Sequence, residues 1–144
     1  VDRFPIISVE DGLGQDDWMH WPALVNRLNG RALAVGDDLL CTRPARITRA
    51  VDEQAANALS LKVNQIGTLT EAVEANRLAR AAGWNVTISA RSGETEDDWL
   101  ADLATGWSGD LIRIGSLTGS ERLAKYNRLL EIERQTKLPL APWP

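Results

Sequence analysis

Cysteine is nearly absent from this chain, and Cys41 is its only thiol. One thiol makes no internal disulfide, so the reading is a reduced, buried cysteine in a cytoplasmic protein. No apolar run approaches the ~20 residues that a membrane-spanning helix needs. No secretory leader or lipidation motif is visible, so no membrane partner is expected. The basic residues are scattered rather than clustered, which argues against a nucleic-acid partner. Histidine is scarce too. His20, the single one, lies between Met19 and Trp21, away from any strand end, and reads as a surface or packing residue. A glycine-rich dinucleotide fingerprint is also missing. The first strand is followed only by Glu10-Asp11-Gly12-Leu13-Gly14, which gives no support to a Rossmann assignment.

What remains is an ordinary globular composition. The 144 residues are 44% hydrophobic and 25% charged, with a formal net charge of −4. That is too apolar for disorder and about the size of one domain. The expected domain covers residues 1–144 and ends in a proline-rich tail, residues 137–144, with Pro139, Pro142 and Pro144. The opening at Val1 rather than methionine points to a cut or processed chain, or to a piece of something longer.

Along this domain one alternation recurs. Short apolar runs begin near Ile6, Leu33, Leu59, Val86 and Leu111, about 25–27 residues apart. That spacing holds one strand, one helix and two short loops. The runs are nearly continuous in apolar residues, as in parallel strands covered on both faces. Helical patterns fill the gaps. Residues 16–28 carry Trp18, Trp21, Leu24, Val25 and Leu28 on one face, and Gly30 stops the run. Pro44 opens a second helix with Ile47, Val51 and Ala55 at four-residue spacing. Thr68 and Glu71 form a capping box ahead of a third helix that ends at Gly83, and Thr95 to Asp98 repeats the pattern before Trp99. Ser120 leads into the last helix, with Leu123, Leu130 and Glu133. The fold class expected is α/β, a parallel (βα)₅ arrangement. Two architectures fit: an open doubly wound sheet, or part of a closed barrel of eight such units and roughly 200 residues.

In parallel α/β folds ligands bind at the carboxyl ends of the strands. Here that edge carries Glu10 and Asp11, Asp37 and Asp38, Lys62, the stretch Ser89-Ala90-Arg91-Ser92-Gly93, and Arg113. Glu10 and Asp37 could hold a hard divalent cation such as Mg²⁺, or could simply pair with Lys62 and Arg113. Asp11 and Asp38 read as acids capping the next helix. Lys62, inside an apolar strand, must be paired or functional, because an unpaired buried ammonium is costly. Burial and a nearby cation would favour the neutral amine that a general base requires. Arg91, Ser92 and Gly93 make either a phosphate cradle or a polar turn. The tryptophans read as packing residues on helix faces.

Three stretches resemble enolase, the phosphopyruvate hydratase of glycolysis: Ser8 to Leu13 with Asp16-Asp17-Trp18 behind, Leu61 to Glu71, and Arg91 to Asp97. Further similarity runs through Val35 to Asp38 and Glu121 to Asn127. The resemblance covers nearly the whole chain but only the later part of an enolase. It implies the carboxyl-terminal portion of a barrel and Mg²⁺-dependent interconversion of 2-phosphoglycerate, a small phosphorylated carboxylic acid, and phosphoenolpyruvate. By match of motif, Glu10 and Asp37 would be metal ligands and Lys62 the base. Arg91 and Ser92 would hold the phosphate. Two positions depart from the family. Ala90 stands where enolases have histidine, and Arg113, the second expected catalytic residue, stands where they have lysine. The third metal carboxylate, the general acid and the lid of the family would lie outside this chain. Activity is therefore expected to be impaired, and the alternative is a binding or assembly domain that kept the fold. Five strands do not close a barrel, so a homo-oligomer or partner chain is expected to cover the open edges.

Overall fold

The computed structural model describes residues 1–142. Five strands alternate with helices. They are β1 (Ser8–Glu10), α1 (Trp21–Leu28), β2 (Leu33–Gly36), α2 (Pro44–Asp52), β3 (Ala58–Leu61), α3 (Val63–Ile66), α4 (Leu69–Ala81), β4 (Asn85–Ser89), α5 (Trp99–Gly106), β5 (Leu111–Arg113) and α6 (Ser120–Thr136). The sheet order is β1-β2-β3-β4-β5. β1 pairs parallel with β2, β2 with β3, and β4 with β5. This is the expected parallel (βα)₅ arrangement. Contacts divide the chain into two compact units, one of residues 1–86 and one beginning at Thr87.

In the first unit the strands alternate their faces. Val9 and Ala34 face helix α1 and pack with Leu24, Val25, Leu28 and Ala32. Leu59 and Leu61 of β3 are fully buried, as are Ala72, Ala75 and Ala79 of α4. Helix α1 begins five residues later than the pattern 16–28 suggested. Pro22 lies in its first turn and has no N–H to return to residue 18, so the helix does not extend backwards. Trp18 instead lies beneath the guanidinium groups of Arg46 and Arg49, 5.2 and 4.0 Å from its ring. In α2 the buried face is Ile47 and Ala50, while Val51 turns outward. β3 stops at Leu61, and Val63 opens the single turn α3 rather than continuing the strand. Thr68 caps α4 as expected, its hydroxyl accepting from the Glu71 N–H at 3.2 Å.

In the second unit α5 packs on β5 and on α6. Thr95 is not the cap of α5. Its hydroxyl bonds the Asp97 carboxylate, and the cap position is Asp98. In α6, Leu123 and Leu130 are exposed, whereas Lys125 and Ile132, seven residues apart, are buried. Arg128 of α6 joins Asp102 of α5, its Nη2 donating at 2.7 Å. The guanidinium holds the Asp102 carboxyl below its ordinary value of 3.8. A depressed acid stabilises the fold above the unfolded-state value, and that contribution is lost as pH falls through the lower, folded one. Asp102→Asn should therefore lower the melting temperature modestly at neutral pH. The difference from the parent should vanish in strong acid, as followed by circular dichroism across a pH series. A difference that persists in acid would contradict this.

Candidate active site

Register brings three of the expected residues onto one face. Glu10 pairs with Val35, and Val35 pairs with Ala58. Side chains alternate along a strand, so Glu10, Val35 and Ala58 share a face, with Asp37 two residues beyond Val35. Ser60 and Lys62 follow Ala58 on the same side. The opposite side carries Val9 and Ala34, which are committed to the helices. Glu10, Asp37 and Lys62 thus lie on one face at the carboxyl ends of three neighbouring strands, and Lys62 and Asp37 are in contact.

Asp37 is the centre of this group, with its side chain 9% exposed. The Lys62 ammonium donates to its Oδ2, and the Gln65 amide nitrogen donates to its Oδ1 at 3.2 Å. The pairing alternative for Asp37 and Lys62 is thus realised in this state. Gln65 takes part because the chain turns into α3 directly after Lys62. The Asp37 backbone is fixed from β1. The Asp11 carboxylate accepts from the N–H groups of Asp37 at 3.0 Å and Asp38 at 2.8 Å. Asp11 therefore serves the loop after β2 and not the helix after β1, against the sequence reading. Its left-handed backbone (φ 43°) is one that aspartate tolerates, and it turns the side chain across to the neighbouring strand.

Thr42 was given no role by the sequence. It is fully buried, and its hydroxyl accepts from the Lys62 N–H and donates to Gln65 Oε1, both at 2.9 Å.

The second unit holds the remaining residues. Ser89 lies in register with Arg113, and the Ala90 N–H donates to the Arg113 carbonyl at 2.8 Å. Ala90 is 9% exposed and presents only a methyl group. Partial burial draws the Arg113 guanidinium below the usual arginine range. Arg91, Ser92 and Gly93 are exposed in the loop after β4. That loop is organised by α6. The Lys125 ammonium is fully buried. It donates to the carbonyls of Thr95 (2.9 Å), Asp97 (2.7 Å) and Glu121 (3.0 Å), and pairs with Glu94 at 3.2 Å. The other Glu94 oxygen accepts from the Arg91 N–H at 2.7 Å. Arg122 donates to the Ser92 carbonyl at 3.0 Å and to the Ile114 carbonyl at 2.7 Å. Every backbone group offered to Lys125 is a carbonyl, and these hold residues 95–97 outside helix α5.

Two carboxylates at adjacent strand ends are hard oxygen donors of the kind Mg²⁺ takes, together with water and substrate oxygens. Among the described residues no group of three or more His, Cys, Asp or Glu converges as a metal site. Glu10 and Asp37 are oxygen donors of that chemical type, and in this structure the two Asp37 oxygens accept from Lys62 and Gln65.

The family description "Enolase, C-terminal TIM barrel domain" matches residues 1–138. The chain belongs to the enolase family. It is 53% identical over 134 residues to the enolase of Eimeria tenella and 50% identical over 135 residues to enolase 2 of Hevea brasiliensis. It is also 50% identical over 133 residues to the enolase of Malacoplasma penetrans. These matches cover 92 to 94% of the chain and 30% of each relative. The chain therefore spans about 30% of the length of the curated relatives it matches. Its (βα)₅ sheet is a portion of the enolase barrel, which decides between the open-sheet and barrel alternatives. No helix of the described residues is long and apolar enough to cross a membrane.

Proposed function

We propose that this enolase domain supplies the carboxyl-terminal half of a lyase site that interconverts 2-phosphoglycerate and phosphoenolpyruvate. The observation that supports it is the placement of Glu10, Asp37 and Lys62 on one face at three adjacent strand ends. Lys62, as the amine, takes the proton from the carbon beside the substrate carboxylate. Glu10 and Asp37 would hold Mg²⁺, which would supply positive charge for the substrate's oxygen atoms. The resemblance to enolases assigns Arg91 and Ser92 to the phosphate. The same resemblance assigns Arg113 to the substrate carboxylate. Turnover is weakened rather than ordinary. Ala90 offers no donor, and the wide guanidinium fork of Arg113 replaces a compact ammonium. β1 and β5 are the outer strands of the described sheet, and further strands of the barrel, from the same protein or from a partner chain, would cover them.

The test adds 2-phosphoglycerate and Mg²⁺ and follows the ultraviolet absorbance of the enol phosphate. Slow, Mg²⁺-dependent product formation is expected. A folded protein whose melting temperature rises with 2-phosphoglycerate but which makes no product would favour the binding-domain reading instead, because Ala90 and the occupied Lys62–Asp37 pair are then the resting state of a silent site. Neither turnover nor a thermal shift would end both readings.

A further inference from the structure

Thr42 has a backbone that its side chain disfavours. Cys41 and Thr42 both adopt left-handed conformations, with φ of 47° and 54°. That region suits glycine or asparagine, and a β-branched residue there is an outlier. Strain of this kind persists where surrounding structure holds it, and it gathers at functional sites. The side chain of Thr42 is also completely buried. What the conformation achieves is the placement of one hydroxyl. It sits between the Lys62 N–H, from which it accepts, and Gln65 Oε1, to which it donates. Gln65 then turns its NH₂ to Asp37 Oδ1, and Asp37 offers Oδ2 to the Lys62 ammonium. The circuit closes on itself. It grips Lys62 at both ends, by its backbone at the end of β3 and by its ammonium.

We propose that Thr42 is a positioning residue for Lys62. Its hydroxyl sets the backbone from which the lysine projects and, through Gln65, the orientation of the carboxylate that receives the ammonium. Each bond in the circuit fixes a direction: a hydroxyl that donates to Gln65 Oε1 leaves Gln65 only its NH₂ for Asp37. Glycine would relieve the backbone but leave the Lys62 N–H and Gln65 Oε1 without this partner. Valine would keep the volume and lose both bonds. Serine would keep the hydroxyl. The inference rests on Lys62 as the base of the proposed reaction, and its test separates the two ideas.

Two readouts are taken on the intact protein for Thr42→Val, Thr42→Ser and Lys62→Met. The first is hydrogen exchange of the Lys62 backbone amide, with the amides of β2 as internal reference. The second is incorporation of solvent deuterium at C2 of 2-phosphoglycerate in the presence of Mg²⁺, analysed as kcat and KM. Thr42→Val should speed Lys62 amide exchange by about 10-fold or more and lower kcat by about 10- to 100-fold at unchanged KM, the scale on which misplacement of a reacting group is felt. Thr42→Ser should restore both. Parent-like values of both readouts in Thr42→Val would overturn the proposal. So would a loss of kcat that serine does not rescue, or a KM change that accompanies general loss of amide protection. Deuterium incorporation that survives in Lys62→Met would remove Lys62 as the base, while the amide readout still judges whether Thr42 holds it. If Thr42→Val does not fold, Gln65→Met breaks the same circuit at Asp37. It should lower kcat while sparing the Lys62 amide, and an unchanged kcat would overturn the proposal.

Discussion

With Lys62 as the base of the proposed reaction, Lys62→Met should lower the rate of proton removal from 2-phosphoglycerate by on the order of 10²–10⁴-fold, the usual contribution of a positioned general base. Methionine keeps a straight side chain of similar reach, so the end of β3 loses its nitrogen and little of its packing. The substitution has a second consequence. Asp37 is 6% exposed and would lose the ammonium from which its Oδ2 accepts. A carboxylate left there without its ammonium destabilises the fold. Lys62→Met combined with Asp37→Asn should therefore recover stability and not activity. Stopped-flow or exchange kinetics alongside chemical denaturation separate the two effects. An active Lys62→Met protein would move the chemistry elsewhere.

A large effect on stability is expected at Lys125. Its ammonium has no exposure and ties three backbone carbonyls and the Glu94 carboxylate, with the Asp97 carboxylate at 4.0 Å. Lys125→Met removes the cation but leaves the Glu94 carboxylate, whose side chain is 13% exposed, and orphans the carbonyls of Thr95 and Asp97. Removing one member of a buried ion pair costs about 3–5 kcal/mol, which is a large share of the ~5–15 kcal/mol that holds a typical domain together. The damage should centre on the loop after β4, because Glu94 also holds the Arg91 N–H. Urea denaturation gives the global cost, and proteolysis within residues 91–98 gives the local one. Adding Glu94→Gln to Lys125→Met should return part of the loss. A change of less than ~1 kcal/mol in the single variant would show that water replaces the ammonium at little cost.

The strands were legible because parallel strands covered on both faces demand apolar runs, and the repeat of their spacing exposes the strand-helix unit. The helix boundaries were less so. Pro22 delays α1, and carbonyl bonds to Lys125 keep Thr95 out of the cap of α5. Glu10, Asp37 and Lys62 were visible as charges at strand ends, where an apolar pattern gives way to polar residues. Asp11 was misread because an acid in a βα loop is ordinarily a cap for its own helix. Its actual partners lie 26 and 27 residues away. Lys125 gave no signal at all, since lysine on a helix is usually solvated. Leu123 and Leu130, which look like a buried face, point outward.

The sequence by itself determined the alternation of strands and helices, the family and the types of group at the strand ends. These are local properties of hydrophobicity, propensity and motif, carried in consecutive residues. The tertiary structure decided which acid meets which base, which lysine is buried, and that a strained threonine closes a circuit around Lys62. Those depend on strand register and on residues 20 to 30 positions apart coming within hydrogen-bond distance. Register is set by the whole sheet at once, so no single stretch of the chain contains it.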